Sequence, residues 1–277
     1  MLLTRSKRLR EVLGVVETAN LLLVKLLVKN SAAARSYPGI VFRDYMSLVG
    51  DDGWKSRPVE DVLPPFGRAR IVIERVHDSG AGTAPTPLDE LAALALLTRV
   101  LEPRRIFEIG TFRGRTAMTF ALNCPPDCRV HTLDLPAGAT IARDVYGADR
   151  EFINAGPPGS GISGGMQKIE QVYEYADTDV AHKIEQLYGD SATFDFAPFD
   201  DSVDIVFVDG AHHYAAVRSD TENALRMVRP GGVVIWHDFA NYGDYNDVIR
   251  AVFDTVPRQD VIQVGSTELA LYRTPAK

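Results

Sequence analysis

Between residues 105 and 236 short β-prone runs recur, several of them separated by segments with helical spacing, and that order leaves a chain few ways to bury itself. The runs are Arg105–Ile109, Arg129–Leu133, Ile184–Tyr188, Val203–Val208 and Val233–Trp236. Helical spacing appears over Leu88–Val100, Thr116–Asn123, Tyr214–Val228 and Asn246–Val256, with Pro87 where a first turn accepts proline and Pro103 just past the end of the first helix. Strands that alternate with helices pair in parallel and are covered on both sides. The expectation is an α/β fold: a mostly parallel sheet with helices on both faces. Two further runs, Val261–Val264 and Leu269–Tyr272, flank Gly265-Ser266-Thr267-Glu268 and predict an antiparallel hairpin closing one edge.

The 277 residues accommodate one large domain with additions. Residues 1–87 read as an extension of helix and loops serving oligomer or substrate contacts, and residues 88–277 as the main domain. Within the extension, Leu13 to Val28 follows four basic residues, Arg5, Lys7, Arg8 and Arg10, in the manner of a targeting signal. Glu17 and Lys25 interrupt it, however, and a bilayer span needs about 20 uninterrupted apolar residues. It reads as a helix buried against the main domain or a second subunit, which favours a homo-oligomer over contact with a membrane surface. Ile71–Val76 is a short apolar alternation among loops.

The connection from Pro136 to His182 is long and glycine-rich, so a lid insertion is expected over 136–182. Within it, Gly161-Ile162-Ser163-Gly164-Gly165 satisfies the G-x-S-x-G pattern of serine hydrolases. No strand runs into it and no strong helix leaves it, so no strained turn would present the hydroxyl.

A composition with 45% hydrophobic and 24% charged residues excludes wholesale disorder. The formal charge of −7 argues against nucleic acid as a partner. Two cysteines, Cys124 and Cys128, are too few for a disulfide framework or a four-thiolate zinc site, and imply reduced thiols in a cytoplasmic protein.

In a parallel sheet, ligands bind beyond the carboxyl ends of the strands, where strand order reverses. Past the first strand stands Glu108-Ile109-Gly110-Thr111-Phe112-Arg113-Gly114-Arg115-Thr116. A dinucleotide fingerprint would need glycine where Phe112 and Arg115 stand, so pyrophosphate is disfavoured. A nucleoside with an amino-acid tail suits the loop better: backbone N–H groups and Thr116 at the helix start would hold a carboxylate, and Glu108 would meet an ammonium. S-adenosylmethionine has that anatomy. A packing pair of glycines is the alternative for this loop.

Asp134, closing the second strand, suits the two ribose hydroxyls; a turn cap is its alternative role. In Gly189-Asp190-Ser191, past the third strand, Asp190 would accept from an adenine amino group and Ser191 would support the ring edge. The cofactor set is thus Glu108, Gly110, Thr111, Gly114, Thr116, Asp134, Asp190, Ser191 and Asp209.

The fourth strand delivers Asp209-Gly210-Ala211-His212-His213-Tyr214 and the fifth His237-Asp238-Phe239, which together hold three of the six histidines. Histidines beside carboxylates at neighbouring strand ends are candidates for acid–base work. Asp209 and Asp238 with water suit Mg²⁺, and adding His237 tilts the preference toward Mn²⁺.

The run Phe107-Glu108-Ile109-Gly110-Thr111 through Gly114, with Asp134, Gly189-Asp190-Ser191, the segment from Val208 to Tyr214 and Arg229-Pro230-Gly231-Gly232 through His237-Asp238, resembles a class I S-adenosylmethionine-dependent methyltransferase. More narrowly it is similar to the bacterial branch called the methyltransferase 24 family, over about residues 85 to 275. The resemblance implies the Rossmann-like class I methyltransferase fold, a seven-stranded, mostly parallel sheet with a reversed final strand, and methyl transfer from a sulfonium. Similarity to metal-dependent O-methyltransferases places Asp209 and Asp238 at positions that hold a divalent cation. Phe239 departs from that pattern, since an acidic or amide ligand would follow Asp238.

The expected activity is O-methylation of a hydroxyl on a small molecule or sugar, with His212 as the preferred base, His213 the neighbour most easily confused with it, and Tyr173 and Tyr175 closing over the acceptor. Two other readings stay open: a hydroxylase-like reaction on the same fold, and a non-catalytic cofactor-binding subunit that docks through its N-terminal helix.

Overall fold

In β2 (Arg105–Ile109) Phe107 and Ile109 enter one hydrophobic cluster while Ile106 enters another, so the strand is buried on both sides. The computed structural model describes residues 55–74, 86–136, 173–239 and 246–276. Around β2 lie β1 (Lys55–Arg57), β3 (Arg129–Asp134), β4 (Ile184–Tyr188), β5 (Val203–Val208), β6 (Val228–Trp236), β7 (Ile262–Val264) and β8 (Ala270–Arg273). Their order in the sheet is β1-β7-β8-β6-β5-β2-β3-β4. Strand β8 runs antiparallel to both β6 and β7, and the remaining pairs are parallel. This is the mixed Rossmann-like sheet with its reversed final strand.

Among the described residues, five α-helices accompany it: α1 (Val59–Val62), α2 (Leu88–Leu101), α3 (Arg115–Asn123), α4 (Tyr214–Met227) and α5 (Asn246–Thr255). Leu94 and Leu97 of α2 and Met118 and Phe120 of α3 share the cluster of Ile106. Val217 and Met227 of α4 and Val248 and Val252 of α5 share that of Phe107 and Trp236. Each face therefore has its own core, and truncating a fully buried side chain such as Phe107 would cost about 3–5 kcal/mol.

Among the described residues the sheet has eight strands where seven were expected. The additional one, Lys55–Arg57, belongs to the segment read as loops; it is exposed throughout and pairs in parallel with β7. A three-residue polar edge strand carries no alternating apolar signal, which is why the sequence hides it. Strand β6 begins at Val228 rather than Val233, because the Pro230-Gly231-Gly232 stretch passes through a shift in its register with β5. Of the alternation Ile71–Val76, the described residues 71–74 are not a strand. Instead the Val72 amide donates to Asn123 Oδ1 at 2.8 Å, and Asn123 Nδ2 donates to the Val72 carbonyl at 2.8 Å, tying the segment to the end of α3.

The Leu13–Val28 helix, the G-x-S-x-G stretch and most of the lid lie outside the described residues. Among those described, no helix is long and apolar enough to cross a membrane.

Candidate active site

The order reverses between β2 and β5, and there the chain is closely packed. Gly110 has φ +100°, and a Cβ on it would lie 2.0 Å from the Asp209 carbonyl oxygen. Only glycine lets the two turns meet, so the packing role given as an alternative for this glycine is present in the structure. Gly114, with φ +78°, precedes α3, and a Cβ there would meet the Tyr175 ring at 2.5 Å. Tyr175 is buried against it and stacks on Tyr173, with centroids 5.2 Å apart. This tyrosine is part of the wall; it does not stand as a gate over an acceptor.

The three acceptors expected to converge divide into two groups. Glu108 is fully buried: it accepts from the Thr132 hydroxyl, and its other oxygen meets no partner among the described residues. Burial pushes its carboxyl well above the usual carboxylate range, against the Thr132 hydrogen bond and with Asp209 adding to the rise. Glu108 is thus buried against Thr132, whereas the expected role has it meeting an ammonium.

It begins a buried relay instead. Thr132 and Thr111 hydroxyls lie 2.7 Å apart, Gln186 Nε2 donates to Thr111 Oγ1 at 3.0 Å, and the Tyr175 hydroxyl donates to Gln186 Oε1 at 2.8 Å. Thr116, also buried, has its hydroxyl 3.5 Å from that of Thr86.

Asp134 and Asp190 remain at the neighbouring tips of β3 and β4. Asp134 accepts from the Phe112 amide at 3.0 Å and the Leu135 amide at 2.7 Å. Phe112 has φ +47°, a conformation costing a non-glycine residue about 1 kcal/mol or more, so this bond fixes a strained loop. Asp190 accepts from the Ala192 amide at 3.0 Å and thereby shapes its own turn, with Ser191 inside it.

The second cluster sits at the tips of β5 and β6. His212 Nε2 lies 2.8 Å from Asp238 Oδ2. Asp209, His212 and Asp238 each offer a donor atom within 4.8 Å of the others. His237 is enclosed by carboxylates: Nε2 lies 2.8 Å from Glu90 Oε2, and Nδ1 is 3.1 Å from Asp209 and 3.2 Å from Asp238.

Burial alone would lower the basicity of both rings. For His237 the charge of Asp209 and the bonds to Asp209, Asp238 and Glu90 outweigh it and hold the imidazolium well above its ordinary value. For His212 the hydrogen bond and charge of Asp238 also prevail, and the net shift is upward. Burial would raise Asp238, but its bonds to the two histidines hold it far below the usual carboxylate range. The three donor atoms that converge belong to Asp209, His212 and Asp238, while His237, the expected third ligand, is engaged by Glu90, Asp209 and Asp238.

His213, the other candidate base, is the N-cap of α4, where Nδ1 accepts from the Ala216 amide at 3.3 Å. Glu90, on α2, went unnoticed in the sequence because an acid in a first helical turn is ordinary. Its burial and its second bond, from the Glu268 amide to Oε1 at 2.7 Å, mark it as part of this cluster.

Residues 107–239 match the sequence profile of the methyltransferase domain family. Two curated relatives come from Arabidopsis thaliana: a protein named as a candidate caffeoyl-CoA O-methyltransferase, 27% identical over 57% of this chain and 56% of its own, and tapetum-specific methyltransferase 1, 23% identical over the same shares. The chain thus spans little more than half the length of the curated relatives it matches. Among solved structures it is similar to the O-methyltransferase TomG from Streptomyces achromogenes, solved with S-adenosylmethionine, at 24% identity and a TM-score of 0.45 over 69% of this chain and 82% of that one.

Proposed function

We propose that this methyltransferase domain transfers a methyl group from S-adenosylmethionine to a hydroxyl of a small molecule or sugar. The observation carrying the proposal is the His212–Asp238 pair at 2.8 Å beside Asp209, at strand tips adjoining the Gly110 turn. Asp134 and Ser191, with the amides of the Gly110–Gly114 loop, face the nucleoside, and Asp190 the adenine edge. The acceptor oxygen attacks the methyl carbon as the carbon–sulfur bond breaks; the sulfonium leaves as a neutral thioether, and the hydroxyl proton passes to His212. Asp238 orients the ring and favours its protonated form. His237, held by Glu90, balances the charge of Asp209 and Asp238.

A second reading rests on the trio itself. Asp209, His212 and Asp238 supply two oxygens and one nitrogen, a set that fits Mn²⁺ better than Mg²⁺. A bound cation there would supply Lewis acidity to the acceptor hydroxyl. In that case His212 is a ligand and cannot also be the base.

The extension, residues 1–87, and the lid, 136–182, are assigned to acceptor choice and to contact between copies of the chain. The free, buried thiols of Cys124 and Cys128 support a reducing, cytoplasmic setting.

The test is transfer of labelled methyl to a panel of hydroxyl acceptors, after chelation and with Mn²⁺ restored, alongside calorimetry with S-adenosylhomocysteine. Label in a methyl ether after chelation supports His212 as base; transfer only with Mn²⁺ supports the metal reading. No binding of S-adenosylhomocysteine overturns both.

A further inference from the structure

Asp220 lies in the second turn of α4 and is fully buried. Its two oxygens meet no donor in good geometry among the described residues. Asp220 Oδ2 lies 3.1 Å from where a Gly210 side chain would begin, beside Ile109 Cγ2, which is 3.4 Å from the same point. The Ser191 hydroxyl and the Asp190 carboxylate are its polar neighbours. One carboxyl therefore lies against the turn after β5 and beside the turn after β4, the segments that carry Asp209 and Asp190 with Ser191.

We propose that Asp220 is a positioning residue for the cofactor, holding the turns after β4 and β5 at the spacing a bound nucleoside requires. The inference rests on the cofactor reading above. A buried carboxyl without good donors is tolerated only while neutral. Burial pushes it up to about 7, with Ser191 opposing the rise and Asp190 adding to it.

Among the described residues, no cation is among the groups that shift it. The turn after β4 brings Asp190, the turn after β5 brings Gly210 next to Asp209, and the β2 tip brings Ile109. From β6, Trp236 bonds Thr221, the neighbour of Asp220. On α5, Asp247, Arg250 and Asp254 engage Tyr214 at the start of α4. Ionisation above pH 7 thus places a negative charge beneath two turns that already carry carboxylates, and the turns separate.

The experiment compares the full chain with Asp220→Asn and Asp220→Ala, measuring S-adenosylhomocysteine affinity by calorimetry from pH 6.0 to 8.5. Asp220→Asn, a neutral isostere, is expected to keep the wild-type affinity of pH 6.0 across the range, while wild type weakens fivefold or more. Asp220→Ala is expected to bind at least tenfold more weakly at every pH. Superimposable profiles for wild type and Asp220→Asn overturn the inference alone. Failure of wild type to bind at any pH overturns the cofactor reading with it.

Should Asp220→Asn not fold, amide exchange in the wild type decides. Protection at 189–191 and 209–210 should fall selectively above pH 7, after correction for intrinsic rates; unchanged protection overturns the inference.

Discussion

His212 and Asp238 meet at 2.8 Å, and the aspartate that makes this contact holds a left-handed backbone with φ +54°. The strain, about 1–3 kcal/mol for a non-glycine residue, turns the carboxylate at the end of β6 toward the β5 turn. His212 keeps 40% of its side chain exposed, while the carboxylate that orients it keeps 8%.

Replacing His212 by alanine should lower turnover by about 10²-fold or more and leave S-adenosylhomocysteine affinity within about twofold. The base must be neutral to act, and its ring is held above the ordinary 6.5, so turnover should rise with pH through a midpoint above 6.5. Asp238→Asn removes the group that raises it, and the midpoint should fall. Steady-state rates from pH 5.5 to 9 check both statements.

His213→Ala should behave differently. The loss of the α4 cap costs roughly 1 kcal/mol in chemical denaturation. Turnover per folded molecule should be nearly unchanged. A loss as large as that of His212→Ala would make His213 the base.

Glu90→Ala leaves the His237 imidazolium with one counter-charge fewer in a buried place, and should destabilise the protein by about 3–5 kcal/mol at pH 6. Because the folded value of His237 is raised above 6.5, its ion pairs contribute fully below pH 6.5 and are lost as pH rises through that raised value. The gap between wild type and variant should therefore narrow on the alkaline side. Denaturation curves at pH 6 and at several pH values above 8 measure it, and Glu90→Gln, which retains an acceptor for the Glu268 amide, should cost less.

Gly110→Ala drives a methyl group into the Asp209 carbonyl and adds backbone strain, a combined cost on the order of 3 kcal/mol or more. Gly265 also has a positive φ, +58°, but open space around it. Gly265→Ala should cost only about 1 kcal/mol, and paired melting curves separate clash from strain.

The central strands β2 and β5 were legible because each is a short apolar run buried on both faces, and β2, β4 and β5 end at the residues their patterns indicate. The edge strand Lys55–Arg57 was not, since its three polar residues carry no apolar alternation to mark its pairing with β7. For the site, spacing placed Asp209, His212 and Asp238 at adjacent tips but carried no information on which way a side chain turns. That is why Glu108 proved sealed against Thr132 and why His237 faces Glu90, a residue 147 positions away in the chain. Asp220 was hidden for the same reason: a polar residue on an amphipathic helix reads as solvated unless the neighbouring turns are known.

The contact of Gly110 with the Asp209 carbonyl ties the fate of two halves of the molecule together. Neither turn can be rebuilt alone: a library that diversifies the β5 loop to accept new substrates has to leave the Asp209 peptide in place, or the opposite loop loses its seat. Novel acceptor specificity is better sought in residues 1–87 and 136–182, the segments proposed above to choose the acceptor.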